Sequence, residues 1–262
     1  MQESVNIAVI FAGGVGRRFK NSDTPKQFVD VFGAPIIIHT LRIFDNHPEI
    51  DKIYISILPS HNEYMQRLIK EYKIQKVKGI VNGGETGQDS IYNGLMLAAN
   101  ENPLDSLVLV HDGVRPIVSG DTISNNIKLA RVCGNAITCT PCTETILVSK
   151  NGINPDIVPF RSETFSAQAP QTFILGELIK AHNKIRQTKD RYKDLVDSCT
   201  IYEKLGYKTN MIFGNFGNIK VTNPMDIYVL KALLEYNNDL RLKMQEVAQN
   251  ESVALETNLC KK

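Results

Sequence analysis

The sequence has no tryptophan, almost no net charge and no long apolar run. Its 30 Lys and Arg residues oppose 28 Asp and Glu residues, which leaves a formal net charge of +2. This excess is too small to indicate a nucleic-acid-binding surface, and no segment approaches the roughly 20 apolar residues that cross a bilayer. The first six residues lack the basic head and apolar middle of a signal peptide. We therefore expect a cytoplasmic protein without nucleic-acid or membrane partners.

Cysteines are few and odd in number, with five in 262 residues. An odd count without an export signal indicates reduced thiols and argues against a disulfide framework. Cys139 and Cys142 have the C-x-x-C spacing, but they follow a strand pattern, and no second Cys or His pair lies at zinc spacing. We interpret them as small apolar residues, with metal or redox use as the less favoured alternative.

Short apolar runs alternate with helical patterns along the first half of the chain, which predicts an α/β fold. The architecture expected is a doubly wound, mostly parallel Rossmann-like sheet with a projecting β-arm, and ligands bind such sheets at the carboxyl ends of the strands. The predicted strands are Ile7–Phe11, Ile53–Ile57, Val77–Val81 and Leu107–Val110, and the predicted helices are Ile36–Phe44, Glu63–Tyr72, Ser90–Ala99 and Thr122–Val132.

The pattern changes after Asn135. Strand-like runs at Ile137–Thr140 and Thr145–Val148 precede a turn signal, which predicts an antiparallel arm over about residues 136–165, of the kind that meets a partner subunit. Further on, the pattern predicts helices at Leu175–Ile185 and Asp197–Leu205, a strand at Ile219–Thr222, and a long helix opened by Asn223 and Pro224. Residues 1–235 form the predicted domain, and residues 236–262 a helical or flexible tail.

A glycine-rich turn follows the first predicted strand and reads Ala12-Gly13-Gly14-Val15-Gly16-Arg17-Arg18. Glycines free backbone N–H groups to face an anion, and Arg18 and Lys26 add positive charge around it. A dinucleotide fingerprint would need glycine where Phe19 stands, and a Walker loop would need Gly-Lys where Arg18 stands. The turn therefore predicts a phosphate site of neither type, with a simple chain reversal as the alternative.

Three other segments carry candidate site residues. Asp112 follows an apolar strand and can hold Mg²⁺ or accept from a substrate hydroxyl, while Arg115 can bind a phosphate with two N–H donors; the alternative is that they only pair with each other. Ser90 follows a second glycine turn and either contacts a base or ribose or belongs to a plain helix cap. Lys220 lies within an apolar run, where an ammonium needs an anion or a wet edge.

In this order, the motifs resemble those of the cytidylyltransferases that activate methylerythritol phosphate or ribitol phosphate. They are Ala-Gly-Gly-x-Gly-x-Arg from Ala12, Pro25-Lys26-Gln27, Gly83-Gly84 with Asp89-Ser90, His111-Asp112 with Arg115-Pro116, Arg161 with Pro170-Gln171, Asp197, and Asn218-Ile219-Lys220-Val221-Thr222. The resemblance covers roughly Asn6 to Leu234. Several motifs in register are far more specific than any one of them.

The resemblance implies a role for each matching residue. CTP phosphates would lie among Ala12, Gly13, Gly14 and Gly16, the base and ribose near Gly84, Glu85 and Ser90, and the catalytic cations would be Arg18, Lys26 and Lys220. The polyol phosphate would be held by Asp112, Arg115, Thr145, Arg161 and Asp197, and Asp112 would also contact CTP and Mg²⁺ or another divalent cation. A homodimer is implied, with Arg161 reaching the neighbouring subunit's active site.

The implied reaction joins CMP to a polyol phosphate and releases pyrophosphate. A phosphate monoester has a second pKa of about 6 and is mostly dianionic at neutral pH, so its attack on CTP needs no general base. The barrier is the approach of two anions, which cations in a preorganised cleft lower.

Three positions depart from the methylerythritol-phosphate pattern: Gly87 replaces an arginine, and Ala169 and Val196 replace threonines. Loss of two hydroxyls from a polyol pocket leaves substrate hydroxyls poorly paired, and the run from Pro35 to Leu41 is more similar to the ribitol-phosphate branch. We therefore expect ribitol 5-phosphate as the acceptor. Methylerythritol phosphate is the alternative, and a catalytically silent nucleotide-binding paralogue is a second.

Overall fold

In the computed structural model, residues 3–13 and 24–240 are described. The first half alternates strands and helices as the apolar pattern predicts. The strands are β1 (Asn6–Ala12), β2 (Asp30–Val31), β3 (Ala34–Pro35), β4 (Lys52–Ile57), β5 (Val77–Asn82), β6 (Leu107–Asp112), β7 (Asn135–Pro141), β8 (Phe165–Ile174) and β9 (Met211–Phe213). The helices are α1 (Ile36–Asn46), α2 (Asn62–Glu71), α3 (Gly87–Ala99), α4 (Gly120–Cys133), α5 (Leu175–Arg186) and α6 (Ser198–Lys204), and residues 225–240 are also helical.

Seven strands form one sheet in the order β5-β4-β1-β6-β8-β7-β9, and β2 and β3 form a separate two-stranded ribbon. β1 pairs in parallel with β4 and β6, and β4 pairs in parallel with β5. β8 runs antiparallel to both β6 and β7. The carboxyl ends of β1, β4, β5 and β6 therefore meet at one edge, beside the middle of β8, and this edge is where ligands bind in such folds.

Alternate residues of β1 enter two different cores. Ile7 and Val9 pack with the face that carries α3, α5 and α6, whereas Ala8 and Ile10 pack with α1, α2 and α4. Both faces of the sheet are thus covered by helices, which explains why its central strands are continuously apolar. The doubly wound, mostly parallel α/β architecture expected from the sequence is confirmed.

Two strand predictions are wrong. Residues 145–147 form no strand, and Val148 makes a single bridge to Ile157, so β7 has β8 as its antiparallel partner. The segment 219–222 is also not a strand, because it is held by isolated contacts, such as the 2.9 Å bond from the Val221 N–H to the Val114 carbonyl. Neither β8 nor β9 is predicted: β8 contains Pro170 and polar residues that interrupt an apolar run, and its partners on β6 lie more than 60 residues away in sequence.

The last described helix begins where Asn223 predicts. The Asn223 Oδ1 accepts from the N–H groups of Met225 and Asp226, and the Asp226 carboxylate accepts in return from the Asn223 N–H. This reciprocal capping explains the start of the helix. Of the predicted tail, residues 236–240 are helical, and residues 241–262 lie outside the described residues. Within the described part of the chain, no helix has the length and apolar character needed to cross a membrane.

Candidate active site

A cavity of ≈ 240 Å³ opens at the carboxyl ends of β1 and β6. Its lining combines apolar side chains with charged and polar ones. The lining residues are Phe11, Ile91, Val110, Asp112, Arg115, Ala167, Gln168, Ala169, Gln171, Val196, Asp197, Ser198 and Lys220. Four of the residues predicted from the sequence to bind substrate or to act in catalysis thus meet in one cavity, although they come from widely separated segments.

Asp112 is the electrostatic centre of this cavity. Its Oδ1 lies 2.5 Å from the Lys220 Nζ, its Oδ2 lies 3.3 Å from the Arg115 Nε, and only 7% of its side chain is exposed. Burial alone would raise its pKa, but the charges of Lys220 and Arg115 more than offset this and lower the pKa to about 2. Asp112 is therefore a carboxylate at neutral pH, with a cation on each oxygen.

Arg115 is held on two sides. Its Nη1 donates to the Asn218 carbonyl at 2.6 Å, and its own carbonyl accepts from the His111 Nε2 at 3.0 Å. His111 is fully buried, and burial lowers its pKa to about 4, so the imidazole is neutral at physiological pH. The suggestion that Asp112 and Arg115 pair only with each other is thus half right: they do pair, and both also line the cavity.

Lys26 contacts the segment that carries Lys220, so two of the three predicted catalytic cations lie close together. The Lys26 Nζ donates to the carbonyl of Val221 at 3.1 Å, one residue beyond Lys220. Arg18 lies outside the described residues, as do Gly14 and Gly16 of the glycine turn. Ala12 ends β1 and is largely buried, with its carbonyl accepting from the Gln27 Nε2 at 3.4 Å.

The second glycine turn packs directly against the first. A Cβ added to Gly13 would lie 2.5 Å from the Ser90 Oγ, so any side chain there would collide with Ser90. The Ser90 Oγ accepts from the Gly84 N–H and donates to the Thr86 carbonyl, both at 3.0 Å. Ser90 is therefore not the helix cap, which is Thr86, and it joins the two turns that were predicted to hold CTP. Glu85 is exposed beside them.

Asp197, from the start of α6, also lines the cavity. Its Oδ1 caps α6 by accepting from the Thr200 N–H, and its Oδ2 accepts from the Gln171 Nε2 at 3.2 Å. Ala169 and Val196, the two residues that replace threonines, also line the cavity. The departures from the methylerythritol-phosphate pattern thus fall on the cavity surface, whereas Gly87 is exposed at the start of α3.

Thr145 and Arg161 do not reach this cavity. Both are exposed on the segment between β7 and β8, together with an unusual number of apolar side chains. The exposed large hydrophobic residues of this segment are Ile146, Leu147, Val148, Ile153, Ile157, Val158 and Phe160. Such a concentration of exposed apolar area is typical of a surface that another protein covers.

The apolar residues that line the cavity were not predicted from the sequence. Phe11, Ile91 and Val110 read as ordinary core residues of a strand or helix, and only their positions at the ends of β1, α3 and β6 place them on the cavity. Gln171 carries the one available signal, since it follows Pro170 in a motif the family shares. Its Oε1 accepts from the Cys199 N–H at 2.9 Å, so it connects β8 to the start of α6.

Asp112 was also predicted to hold a divalent cation. Within residues 3–13 and 24–240, no group of three His, Cys, Asp or Glu side chains is arranged to hold a metal ion. Asp112 and Asp197 are the two carboxylates on the cavity wall, and both oxygens of Asp112 already face cations. A resident ion bound by protein groups alone does not fit this donor set, whereas an ion brought by a polyphosphate does.

Comparison with known proteins agrees with this geometry. A ribitol-5-phosphate cytidylyltransferase from Vibrio parahaemolyticus is 40% identical over 239 residues, which cover 91% of this chain and 99% of that protein. A 2-C-methyl-D-erythritol 4-phosphate cytidylyltransferase from Alkaliphilus oremlandii is 33% identical, with 89% of this chain and 96% of that protein covered.

A solved structure has the same fold. The 4-diphosphocytidyl-2C-methyl-D-erythritol synthase of Anaerococcus prevotii superposes with a TM-score of 0.75 at 25% identity, covering 88% of this chain and 96% of the other. Residues 6–236 match the family described as "IspD: 2-C-methyl-D-erythritol 4-phosphate cytidylyltransferase". The match spans nearly all the described residues, and the chain therefore belongs to the IspD cytidylyltransferase family.

Proposed function

We propose that this protein transfers the CMP moiety of CTP to an alditol phosphate, with ribitol 5-phosphate as the acceptor, and releases pyrophosphate. The observation that carries the proposal is the meeting of Asp112, Arg115 and Lys220 in a cavity at the strand ends. The paired glycine turns lie at the same edge of the sheet, where Ser90 connects them. We therefore expect the CTP phosphates to lie between the glycine turns and the cations, and the polyol to lie in the rest of the cavity.

The chemical step is an in-line displacement at the α-phosphorus of CTP. An oxygen of the acceptor phosphate forms the new P–O bond, the bond to the bridging oxygen breaks, and its electron pair leaves with pyrophosphate. Because the acceptor phosphate is mostly dianionic at neutral pH, no protein group needs to remove a proton. The protein's contribution is to position the two anions and to neutralise the charge that develops between them.

The positions of the three cations suggest a different role for each group of them. Arg115 has a fixed guanidinium, since Asn218 and Asp112 restrain it from two directions, and its remaining N–H groups suit the acceptor phosphate. Lys220 is about two-fifths exposed, with its ammonium at the mouth of the cavity against Asp112. Lys26 reaches the adjoining backbone, so we assign Lys26 and Lys220 to the phosphates of CTP.

We propose that Mg²⁺ enters as part of the Mg–CTP complex, held chiefly by phosphate oxygens. Asp112 would be the protein carboxylate that contacts this ion, and the ion would stabilise negative charge on the phosphates. The pairing of Asp112 with Lys220 means that the carboxylate is already ionised when this complex arrives.

The acceptor wall favours ribitol 5-phosphate. Val196 is 81% exposed and Ala169 also lines the cavity, so the lining offers two apolar groups where threonine hydroxyls would bond a branched polyol. The relative at 40% identity bears the ribitol-5-phosphate name, which supports the same choice. The second candidate is 2-C-methyl-D-erythritol 4-phosphate, which the name of the matched family favours.

The deciding experiment measures pyrophosphate release from CTP with each acceptor offered separately. We expect kcat/KM with ribitol 5-phosphate to exceed that with 2-C-methyl-D-erythritol 4-phosphate. The opposite order would transfer the assignment to the second candidate. Binding of CTP without pyrophosphate release for any alditol phosphate would instead identify a silent paralogue and refute the enzymatic proposal.

We further propose a homodimer in which the segment between β7 and β8 covers the neighbouring subunit. Ile153 is 84% exposed and Phe160 is 75% exposed, and both lie close in sequence to Arg161. Since Arg161 does not line its own cavity, association through this apolar surface is a route by which it reaches the partner's active site.

A further inference from the structure

Two ion pairs connect Asp89, in the first turn of α3, to arginines about 100 residues later in the chain. The Asp89 Oδ1 accepts from the Arg186 Nη1 at 2.7 Å and from the Arg191 Nη2 at 3.2 Å, and 13% of the Asp89 side chain is exposed. Its Oδ2 accepts from the Thr86 Oγ1 at 2.8 Å. Both carboxylate oxygens of Asp89 therefore have partners within the protein.

Asp89 also packs against the second glycine turn, which is proposed to bind CTP. A Cβ added to Gly84 would lie 2.2 Å from the Asp89 Cβ, so the Gly84 backbone rests directly on Asp89. The next residue, Ser90, accepts from the Gly84 N–H. A displacement of Asp89 would thus move Gly84 and Ser90, which are two of the groups assigned to CTP.

Arg186 lies at the end of α5 and packs against two aromatic rings. Its guanidinium lies over the Tyr92 ring, 4.3 Å from the centroid, and 5.9 Å from that of Tyr192. The Tyr192 hydroxyl bonds the Nδ1 of the fully buried His182 at 2.7 Å. The planar group is therefore held by stacking as well as by hydrogen bonds, which a lysine cannot reproduce.

We propose that Arg186 is a positioning residue for nucleotide binding, acting through Asp89 on the Gly84–Ser90 turn. This rests on the proposed use of CTP. The partner chemistry is that of a nucleoside triphosphate held by backbone N–H groups, which bind well only when the turn is preorganised. Arg186 contacts Asp89, Tyr92 and Tyr192, none of which lines the cavity, so its effect on binding passes through Asp89.

The test is calorimetric titration of the purified protein with CTP and MgCl₂, without an acceptor. Arg186→Met is expected to raise the Kd for CTP about tenfold, the scale of coupling within one ion-pair network. Arg186→Lys is expected to raise it by an intermediate factor, because the charge remains and the stacking is lost. Lys180→Met is the matched control, since it removes a positive charge from the same helix at an exposed pair with Glu177, and the Kd should stay unchanged.

Asp89→Asn separates positioning from simple charge. Removal of a negative charge beside an anion site strengthens anion binding if only the field matters, whereas loss of the anchor weakens it. We expect a Kd for CTP several-fold above that of the wild type, with the double variant Asp89→Asn, Arg186→Met no weaker than Arg186→Met alone.

The outcomes distinguish this role from the function on which it rests. If the wild type does not bind CTP, the proposed function and the role are both overturned. If the wild type binds and folded Arg186→Met binds as tightly, with only a lower melting temperature, Arg186 is structural and the role alone is overturned. Should Arg186→Met fail to fold, Arg186→Lys and Asp89→Asn decide, and wild-type affinity in both refutes the proposal.

Discussion

Replacement of Lys220 by methionine tests the electrostatic centre of the site. The change keeps most of the aliphatic side chain and removes the ammonium that lies 2.5 Å from the Asp112 Oδ1. Asp112 would then keep only the 3.3 Å contact with Arg115 while remaining buried. Since burial raises the pKa of this carboxyl and Lys220 is the nearest group that lowers it, the pKa of Asp112 should rise in the variant.

The size of the effect follows from the pKa of Asp112. A pKa of about 2, against an ordinary value of about 3.9, corresponds to roughly 2 to 3 kcal/mol of stability from the ionised carboxylate at neutral pH. A depressed acid pKa stabilises the fold above the unfolded-state pKa, and this contribution disappears as pH falls from about 4 to about 2. Much of this stabilising contribution of Asp112 should be lost in Lys220→Met at pH 7.

The assay is urea unfolding of wild type, Lys220→Met and the control Lys128→Met, in which an exposed lysine of α4 is removed. The difference in unfolding free energy between wild type and Lys220→Met should be largest at pH 7 and should shrink between pH 4 and pH 2. Lys128→Met should follow wild type throughout. In parallel, pyrophosphate release by Lys220→Met should fall about 10²-fold, as when an oxyanion donor is removed.

Two results would refute this reasoning. A stability difference that stays constant from pH 7 to pH 2 would mean that Lys220 stabilises the fold by packing alone. Full turnover by Lys220→Met would remove the ammonium from the chemistry, and the cavity would then need another source of positive charge.

Three further predictions concern the other parts of the site. Lys26→Ala should lower kcat about 10²-fold in the pyrophosphate assay, and unchanged turnover would exclude it from catalysis. A mixture of the impaired variants Arg161→Ala and Lys220→Met, refolded together, should be more active than either alone, because a mixed dimer has one site with both residues intact; no gain would place Arg161 in its own subunit's site. Ala169→Thr with Val196→Thr should shift kcat/KM toward 2-C-methyl-D-erythritol 4-phosphate, and an unchanged acceptor ratio would show that these two residues do not select the acceptor.

The regular elements of the first half were predictable because local signals there agree with the fold. β1, β4, β5 and β6 are apolar runs bounded by turns, and each is recognisable without knowledge of its neighbours. The same reasoning was wrong at Thr145–Val148 and Ile219–Thr222, where β-branched and apolar residues form no ladder. Val221 bonds the distant Val114 instead of a neighbouring strand, and Val148 makes only a single bridge, to Ile157, so apolar β-formers alone did not make strands there.

By itself, the sequence determined the alternation that makes an α/β sheet and the residue types that suit a phosphate site, because both depend on nearby letters. Only the tertiary structure decided that Asp112 lies between Arg115 and Lys220, and that Arg186 supports Asp89 from 97 residues away. Such pairs depend on the order of the strands and the course of the loops. Distances across the sheet follow from the packing of the whole chain, and no local pattern encodes them.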